Sequence, residues 1–78
     1  MNNIYRLSDM LPGQFAKITH LNSPGNMNRR LEDLGFIEGT TVECVLKSPL
    51  GDPTAFLVRG AIIALREEDS CLVEVRAV

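Results

Sequence analysis

The chain is organised around residues 26–39, Asn26-Met27-Asn28-Arg29-Arg30-Leu31-Glu32-Asp33-Leu34-Gly35-Phe36-Ile37-Glu38-Gly39. Met27, Leu31 and Leu34 are spaced at i, i+4 and i+7, which places them on one face of a helix. Asn26 is a plausible N-cap, because its side-chain oxygen can accept a backbone N–H of the first turn. The stretch therefore predicts a short helix that begins near Asn26.

The same stretch predicts where the helix ends. Gly35 follows the last periodic residue, where a residue with positive φ commonly ends a helix. With Gly35 at the C′ position, Phe36 and Leu31 are the hydrophobic pair of a Schellman motif. Gly39 then provides a second permissive backbone position before a strand predicted over residues 41–47.

The charges on this helix are predicted to oppose its dipole. Arg29 and Arg30 lie toward the N-terminal end, and Glu32 and Asp33 lie toward the C-terminal end. Each charge at the unfavourable end of the dipole destabilises an isolated helix by about 0.3–1 kcal/mol. An ion pair between Arg29 and Asp33, at i and i+4, would offset only part of this destabilisation. Tertiary contacts or contacts with a partner would explain these charges, and so would a solvated face that has no role.

The rest of the chain predicts short strands separated by turns. The predicted strands cover residues 15–21, 41–47, 54–59, 61–65 and 71–76. Pro12-Gly13 predicts a type II turn, and the apolar run at 61–65 predicts a strand buried on both faces. These elements predict a mainly β fold in one domain over residues 1–78: a small β-barrel of about five strands with one short helix after the first.

Composition excludes several classes of protein. The 78 residues include eight basic and ten acidic side chains, a balance that argues against a general nucleic-acid binder. No apolar run approaches the roughly 20 residues that span a bilayer, and residues 1–6 lack a signal-peptide pattern. Two cysteines make no disulfide framework. We therefore expect a cytoplasmic protein.

No residue pattern indicates an enzyme. The single histidine, His20, has no nucleophile in a recognisable motif beside it, and the carboxylates are scattered. His20, Cys44 and Cys71 are the only soft metal ligands, but the close-spaced C-x-x-C pairs of structural metal sites are absent. Both cysteines have the inward parity of their predicted strands, which favours a role as small core residues.

Three further positions have two interpretations each. Asp52, in the Gly51-Asp52-Pro53 turn, either stabilises the turn or presents a carboxylate at a loop tip. Arg30, Arg59 and Arg66 form a basic cluster if the fold brings them together, and are otherwise isolated solvated charges.

Four segments in fixed order resemble the FeoA family. They are Arg30-Leu31-Glu32-Asp33-Leu34-Gly35-Phe36-Ile37-Glu38-Gly39-Thr40, Ser48-Pro49-Leu50-Gly51-Asp52-Pro53, Val58-Arg59-Gly60 and Ile63-Ala64-Leu65-Arg66, and the resemblance extends from Leu7 to Val75. It implies an SH3-like β-barrel with an inserted helix. The lack of a helix-turn-helix region makes the chain similar to the stand-alone form rather than to DtxR-type repressors. The resemblance implies no catalytic residue, and ferrous iron is implied without a ligand set.

The resemblance also implies a function. FeoA proteins are cytoplasmic accessories of bacterial ferrous-iron uptake, and the implied partner is the membrane transporter FeoB with its cytoplasmic G-protein domain. On this hypothesis the chain is an interaction module that reaches the membrane only through its partner. We expect its interface at the helix and its exit, at Arg30, Glu32, Asp33, Leu34 and Phe36. Phe36 has a second interpretation, because the Schellman contact with Leu31 would bury it.

Two alternatives from other functional classes stay open at this point. The first is a metal carrier or sensor that uses Cys44, Cys71 or His20. The second is a small-barrel nucleic-acid binder, which the acidic balance and the lack of an aromatic row disfavour. The oligomeric state is also open, a homo-oligomer included.

Overall fold

Six strands and two helices make up residues 4–78, the part of the chain that the computed structural model describes. In chain order the elements are β1 (Ile4–Arg6), a 3-10 turn (Leu7–Asp9), β2 (Phe15–Leu21), α1 (Gly25–Asp33), β3 (Thr41–Lys47), β4 (Thr54–Val58), β5 (Ala61–Leu65), α2 (Glu67–Ser70) and β6 (Val73–Ala77). The mainly β fold is confirmed. Strand β1 was not predicted from the sequence, so α1 follows the second strand instead of the first.

The strands form one antiparallel sheet in the order β1-β6-β2-β3-β4-β5. Register shifts interrupt β2 and β3, and such bulges bend a strand and increase its twist. Within residues 4–78 the order ends at β1 and β5, so the hydrogen-bonded ladder does not close as the barrel prediction required. The sheet thus keeps two edges.

One face of the sheet and the inner side of α1 enclose the core. Phe36 and Phe56 are completely buried and meet edge to face, with ring centroids 6.3 Å apart and an interplanar angle of 89°. Aromatic pairs favour this geometry. The other core side chains are Leu7, Met10, Ala16, Ile18, Leu21, Leu31, Val42, Cys44, Val58, Leu65, Val73 and Val75.

The C-terminus of α1 has the predicted Schellman motif. Gly35 has φ +106°, and its N–H donates to the Glu32 carbonyl at 3.0 Å. The N–H of Phe36 donates to the Leu31 carbonyl at 2.9 Å, which is the second hydrogen bond of this motif. The chain therefore turns sharply at Gly35 and directs Phe36 into the core.

Asn26 is not the N-cap, although its Oδ1 accepts a first-turn N–H as predicted, that of Met27, at 2.9 Å. The helix begins one residue earlier than Asn26, and Pro24, with φ −56°, occupies the N-cap without a side-chain hydrogen bond. Asn28 secures this end instead: its Oδ1 accepts the Ser23 N–H at 3.2 Å and its Nδ2 donates to the Leu21 carbonyl at 3.4 Å. An amide one turn into the helix thus ties α1 to the end of β2.

Strand β5 is an edge strand, which corrects the prediction that it is buried on both faces. Ile62 is 60% exposed and Ala64 is exposed, whereas Leu65 is buried. The apolar composition of β5 is typical of a central strand. In this sheet, however, β5 is last in the strand order and pairs only with β4 among the described strands.

A bulge also changes the inner face of β3. Val42 and Cys44 face the core, and strict alternation from Cys44 predicts the same for Leu46, but Leu46 is 62% exposed. The pairing shifts between Cys44–Phe56 and Leu46–Ala55, so the extra residue reverses the parity of the strand beyond it. The alternation of β3 therefore holds only as far as Cys44.

The loop before β4 is attached to α2 through Asp52. The Asp52 Oδ1 accepts the Glu67 N–H at 2.9 Å, and its Oδ2 lies 3.9 Å from Nη1 of Arg66. The carboxylate thus satisfies one of the free N–H groups at the start of a helix. Neither interpretation of Asp52 predicted these contacts: the carboxylate joins its loop to the start of α2.

Replacing Asp52 with alanine is expected to lower the free energy of unfolding by about 1 kcal/mol, the usual effect of removing a helix cap. Asp52→Asn is the matched control, since its amide oxygen can still accept the Glu67 N–H. Urea unfolding of both variants measures the difference. Equal losses in the two variants would show that charge, and not the hydrogen bond, stabilises this junction.

Candidate partner-binding and metal-binding residues

Four of the five residues predicted to bind a partner lie on one end of α1. Arg30, Glu32 and Asp33 are exposed, and Leu34 is 36% exposed. We call these four residues the α1 surface. Phe36 is completely buried, because the Schellman turn directs it into the core, so it is not available to contact a partner.

The charges of α1 oppose the dipole only at its C-terminal end. Because α1 ends at Asp33, Arg30 falls in the last turn, where a cation is favourable, which corrects the prediction for this residue. Glu32 and Asp33 remain at the unfavourable end. Neither of the two ion pairs found within 4.0 Å in residues 4–78 involves α1, so the predicted Arg29–Asp33 pair does not form. Glu32 and Asp33 are therefore acids without a basic partner.

The arginines predicted as a possible cluster have different surroundings. Arg59 has φ +52° and packs its side chain over the end of α1: a Cβ built on Gly35 would lie 3.3 Å from the Arg59 Cδ. Its aliphatic stem therefore lies against the C-terminal end of α1. Arg66 instead lies beside Asp52. Arg59 is the arginine that the fold brings to the α1 surface.

Cys44 is a core residue. It is completely buried, and its thiol donates to the Met10 carbonyl at 3.8 Å. Burial raises the pKa of the Cys44 thiol; Lys47 partly opposes this and Glu43 adds to it. Because the thiolate is the form that binds metals and attacks electrophiles, Cys44 is poorly suited to either chemistry.

Cys71 and His20 lie elsewhere. Cys71 ends α2, and its thiol donates to the Glu68 carbonyl at 3.6 Å. The prediction that Cys71 lies in the last strand is wrong, because β6 begins at Val73. His20 is exposed, and its Nδ1 lies 3.3 Å from Glu38 Oε2. Across residues 4–78, no three His, Cys, Asp or Glu side chains are grouped to hold a metal ion.

The buried thiol has a consequence at alkaline pH. Above about pH 9 the unfolded chain loses the Cys44 proton at the ordinary pKa of 9.0, whereas the folded chain keeps it because its pKa is raised. The unfolded state then binds fewer protons, so the free energy of unfolding falls as the pH rises. We expect Cys44→Ala to lose stability less steeply than wild type between about pH 8 and pH 10.5 in urea unfolding. Val42→Ala, which truncates a neighbouring buried side chain without removing a thiol, is the control and should follow the wild-type slope.

The sequence prediction missed an exposed apolar region on the outer side of β2 to β5. The register aligns Phe15, Glu43, Leu57 and Ile62 in one row across the four strands. Phe15 is 51% and Ile62 60% exposed. The outer apolar face is the name that we give to Phe15, Val45, Leu46, Leu57 and Ile62. Strand alternation could have indicated Leu57, but the bulge that exposes Leu46 has no sequence signal.

No helix within residues 4–78 is long and apolar enough to cross a membrane. A groove of about 630 Å³ lies between β1 and the end of α2, with Tyr5, Asp9, Cys71 and Glu74 among its lining residues. It contains polar groups but no grouped metal ligands in the described part of the chain.

A family model, the FeoA domain, matches residues 5–77. A curated relative from Porphyromonas gingivalis, an Fe(2+) transport protein A/Fe(2+) transporter FeoB fusion protein, is 32% identical over 73 residues. That match covers 94% of this chain and 9% of the relative, so the chain spans less than a tenth of the fusion protein.

Two solved structures are also similar. The iron(II) transport protein A of Clostridium thermocellum superposes with a TM-score of 0.90 at 36% identity, over 94% of this chain and 45% of that one. The FeoA of Stenotrophomonas maltophilia, described as a prokaryotic SH3 domain protein and solved in complex with zinc, has a TM-score of 0.76 at 31% identity, over 90% of this chain and 87% of that one. The fold is thus SH3-like.

Proposed function

This chain belongs to the FeoA family, and we propose that it is a cytoplasmic, non-catalytic accessory protein that docks on an FeoB-type ferrous-iron transporter and modulates it. Such a protein acts by differential binding: it shifts the transporter between conformational states only to the extent that it prefers one of them. The cytoplasmic G-protein domain of the transporter is the docking site that we propose.

The observation that carries this proposal is the fusion protein. In the Porphyromonas gingivalis relative, an FeoA part and an FeoB part belong to one chain. Covalent linkage keeps two modules at a high effective concentration, which is useful when they act on each other. A separate FeoA chain must reach its transporter by affinity, so it needs an exposed docking surface.

The α1 surface suits this role. Among residues 4–78 no cation lies within 4.0 Å of Glu32 or Asp33, and both stand at the unfavourable end of the helix dipole. A basic partner surface would therefore gain from contacting them. Leu34, 36% exposed, gives the centre of this surface an apolar side chain. The chemistry favours a partner with basic residues around a small apolar site.

Charge changes on α1 test the proposed docking. Asp33→Lys is expected to weaken co-purification with the transporter at least several-fold, because a favourable contact becomes a repulsive one. Arg30→Glu is expected to strengthen binding in the same assay, since it adds a negative charge to a surface that faces basic residues of the partner. Both are compared in buffers with and without guanine nucleotide, which reports whether docking depends on the state of the G-protein domain.

Arg76→Glu is the matched control for Arg30→Glu, because both replace an exposed arginine with an acid and Arg76 lies on β6. It should bind like the wild-type protein. Transporter binding that is unchanged in both Arg30→Glu and Asp33→Lys would exclude the α1 surface. A wild-type chain that does not co-purify with the transporter under either nucleotide condition would contradict the proposed function itself.

A further inference from the structure

Strand β5 is an unprotected edge. It is last in the sheet order, and its residues Ala61–Leu65 include no charge, proline or glycine. Its pairing with β4 has no register shift. Natural proteins usually protect an edge with charges, prolines, bulges or a very short strand. The opposite edge, β1, has three residues and ends in Arg6, so the lack of protection is specific to β5.

The β4–β5 hairpin determines which backbone groups face this edge. Arg59 and Gly60 are its two loop residues, with φ +52° and +84°, as a type I′ turn requires. Val58 and Ala61 therefore face each other across the turn as a hydrogen-bonded pair.

Hydrogen-bonded and non-hydrogen-bonded pairs alternate along an antiparallel ladder. Ala61, Ile63 and Leu65 thus bond to β4, whereas the N–H and C=O groups of Ile62 and Ala64 point away from it. These outward groups belong to residues on either side of Ile63. When a second β5 runs antiparallel with its Ile63 opposite this Ile63, the outward N–H and C=O groups of the two strands can therefore form hydrogen bonds with each other.

We propose that β5 pairs antiparallel with β5 of a second copy of this chain, about a two-fold axis that passes through Ile63. In this register Ile62 of each copy faces Ala64 of the other, and each of these two pairs exchanges two hydrogen bonds. A two-fold interface of this kind is closed, so the assembly stops at a dimer. The dimer does not depend on the proposed docking to the transporter.

Charge complementarity favours a second copy in this orientation. Arg59 lies before β5. Arg66, which is paired with Asp52, follows β5, and Glu67 and Glu68 come next. With Ile63 on the axis, position 59 of one copy faces position 67 of the other, twice per dimer. Neither Arg59 nor Glu67 is part of an ion pair within 4.0 Å in residues 4–78, so both charges are free to pair across the interface. A parallel arrangement would bring like charges together instead.

The apolar side chains fit the same arrangement. Ile63 is half-buried beside the core, and the Ile63 of the second copy would cover its exposed part. Ile62, 60% exposed, would lie beside the small Ala64 of the other copy. Two five-residue strands bury less surface than a standard interface, so we expect a weak dimer that forms at high micromolar concentration.

Cysteine cross-linking tests the register. In a Cys44→Ala, Cys71→Ser background, Ile63→Cys places two thiols across a non-hydrogen-bonded pair, where the Cα atoms are about 4.5 Å apart and a disulfide can form. Mild oxidation at about 0.5 mM protein should yield a covalent dimer. Ala61→Cys is the matched control: its counterpart would lie four residues away, roughly 13 Å along the strand, and should not cross-link.

Sedimentation equilibrium tests the hydrogen bonds and the charges. Ala64→Pro removes an edge-facing N–H that β4 does not use, so it should weaken self-association at least tenfold while the chain stays folded. Arg59→Glu should also weaken it, and Arg59→Glu with Glu67→Arg should restore it. Circular dichroism establishes that each variant is folded.

Three results would overturn the proposal. One is a wild-type chain that stays monomeric up to about 1 mM. Another is cross-linking of Ala61→Cys as efficient as that of Ile63→Cys. The third is a wild-type monomer whose transporter binding is lost in Ala64→Pro, which would assign the edge to a strand of the transporter.

Discussion

Phe36→Ala is expected to lower the free energy of unfolding by about 3–5 kcal/mol, the range for truncating a buried aromatic side chain. The ring is completely buried and packs edge to face on Phe56, so its removal leaves a cavity and ends an aromatic contact. A domain of 78 residues has a total stability of about 4–12 kcal/mol at typical values per residue. The loss is thus a large fraction of the total stability, so the urea midpoint of the variant should fall well below that of the wild-type protein.

The position of Phe36 makes this loss larger than that of an ordinary core residue. Its N–H closes the Schellman motif on Leu31, so the same residue that ends α1 also anchors the sheet through Phe56. Without the ring, the apolar contact that accompanies this motif is lost together with the core packing. The helix end and the core should then be destabilised together.

Urea unfolding followed by circular dichroism measures the effect of Phe36→Ala. Leu34→Ala is the control, since Leu34 is two residues away in the same turn and is 36% exposed. It should cost about 1 kcal/mol or less. A loss below about 1.5 kcal/mol for Phe36→Ala would mean that the core closes over the space, and would contradict the anchoring role.

Local chemistry made the exit of α1 predictable from sequence. A glycine after the last periodic residue, followed by an apolar residue, needs positive φ and a buried contact, and Gly35 and Phe36 have both. The same rule predicted that Phe36 would be buried, in competition with its assignment to the interface. Burial prevailed because the Schellman hydrogen bonds direct the residue inward.

Features that depend on partners distant in the chain could not be predicted. Strand β1 is three residues long and exists because it pairs with β6, at the other end of the sequence. The bulge that exposes Leu46 depends on how β3 meets β4. Likewise, the apolar run of β5 is typical of a buried strand, and only the open sheet order makes it an edge.

The candidate site divides in the same way. The exposure of Arg30, Glu32 and Asp33 follows from helical periodicity, because the opposite face carries Leu31. The approach of Arg59 to Gly35 brings a hairpin turn against a helix end, and no local pattern indicates it. Cys71 was assigned to a strand because its neighbours alternate, but a turn of helix ends there instead.

Gly35→Ala is expected to lower the free energy of unfolding by about 1–3 kcal/mol, because any side chain is strained at φ +106°. A second contribution comes from packing. The new methyl would lie 3.3 Å from the Arg59 Cδ and 3.5 Å from a Val58 methyl, closer to Arg59 than ordinary contact allows. The Arg59 side chain or the end of α1 would then have to shift by a few tenths of an ångström.

A double-mutant cycle separates the two contributions. In an Arg59→Ala background the new methyl has more room. The loss of unfolding free energy caused by Gly35→Ala should therefore be smaller there, and the difference between the two backgrounds is the packing contribution. Gly39→Ala, at φ +90° with no atom within 4 Å of its Cβ, gives the effect of backbone strain alone. If Gly35→Ala costs the same as Gly39→Ala in both backgrounds, Arg59 does not restrict position 35.

The cycle also bears on docking, since the α1 surface is held in place by this turn. A Gly35→Ala chain that remains folded should bind the transporter more weakly than wild type, because Asp33 and Leu34 directly precede the displaced residue. Arg59→Ala should restore part of the binding of Gly35→Ala if packing against Arg59 causes the displacement. Binding that is lost in Asp33→Lys but unaffected in a folded Gly35→Ala chain would show that docking depends on the charges of α1 and tolerates a shift of its end.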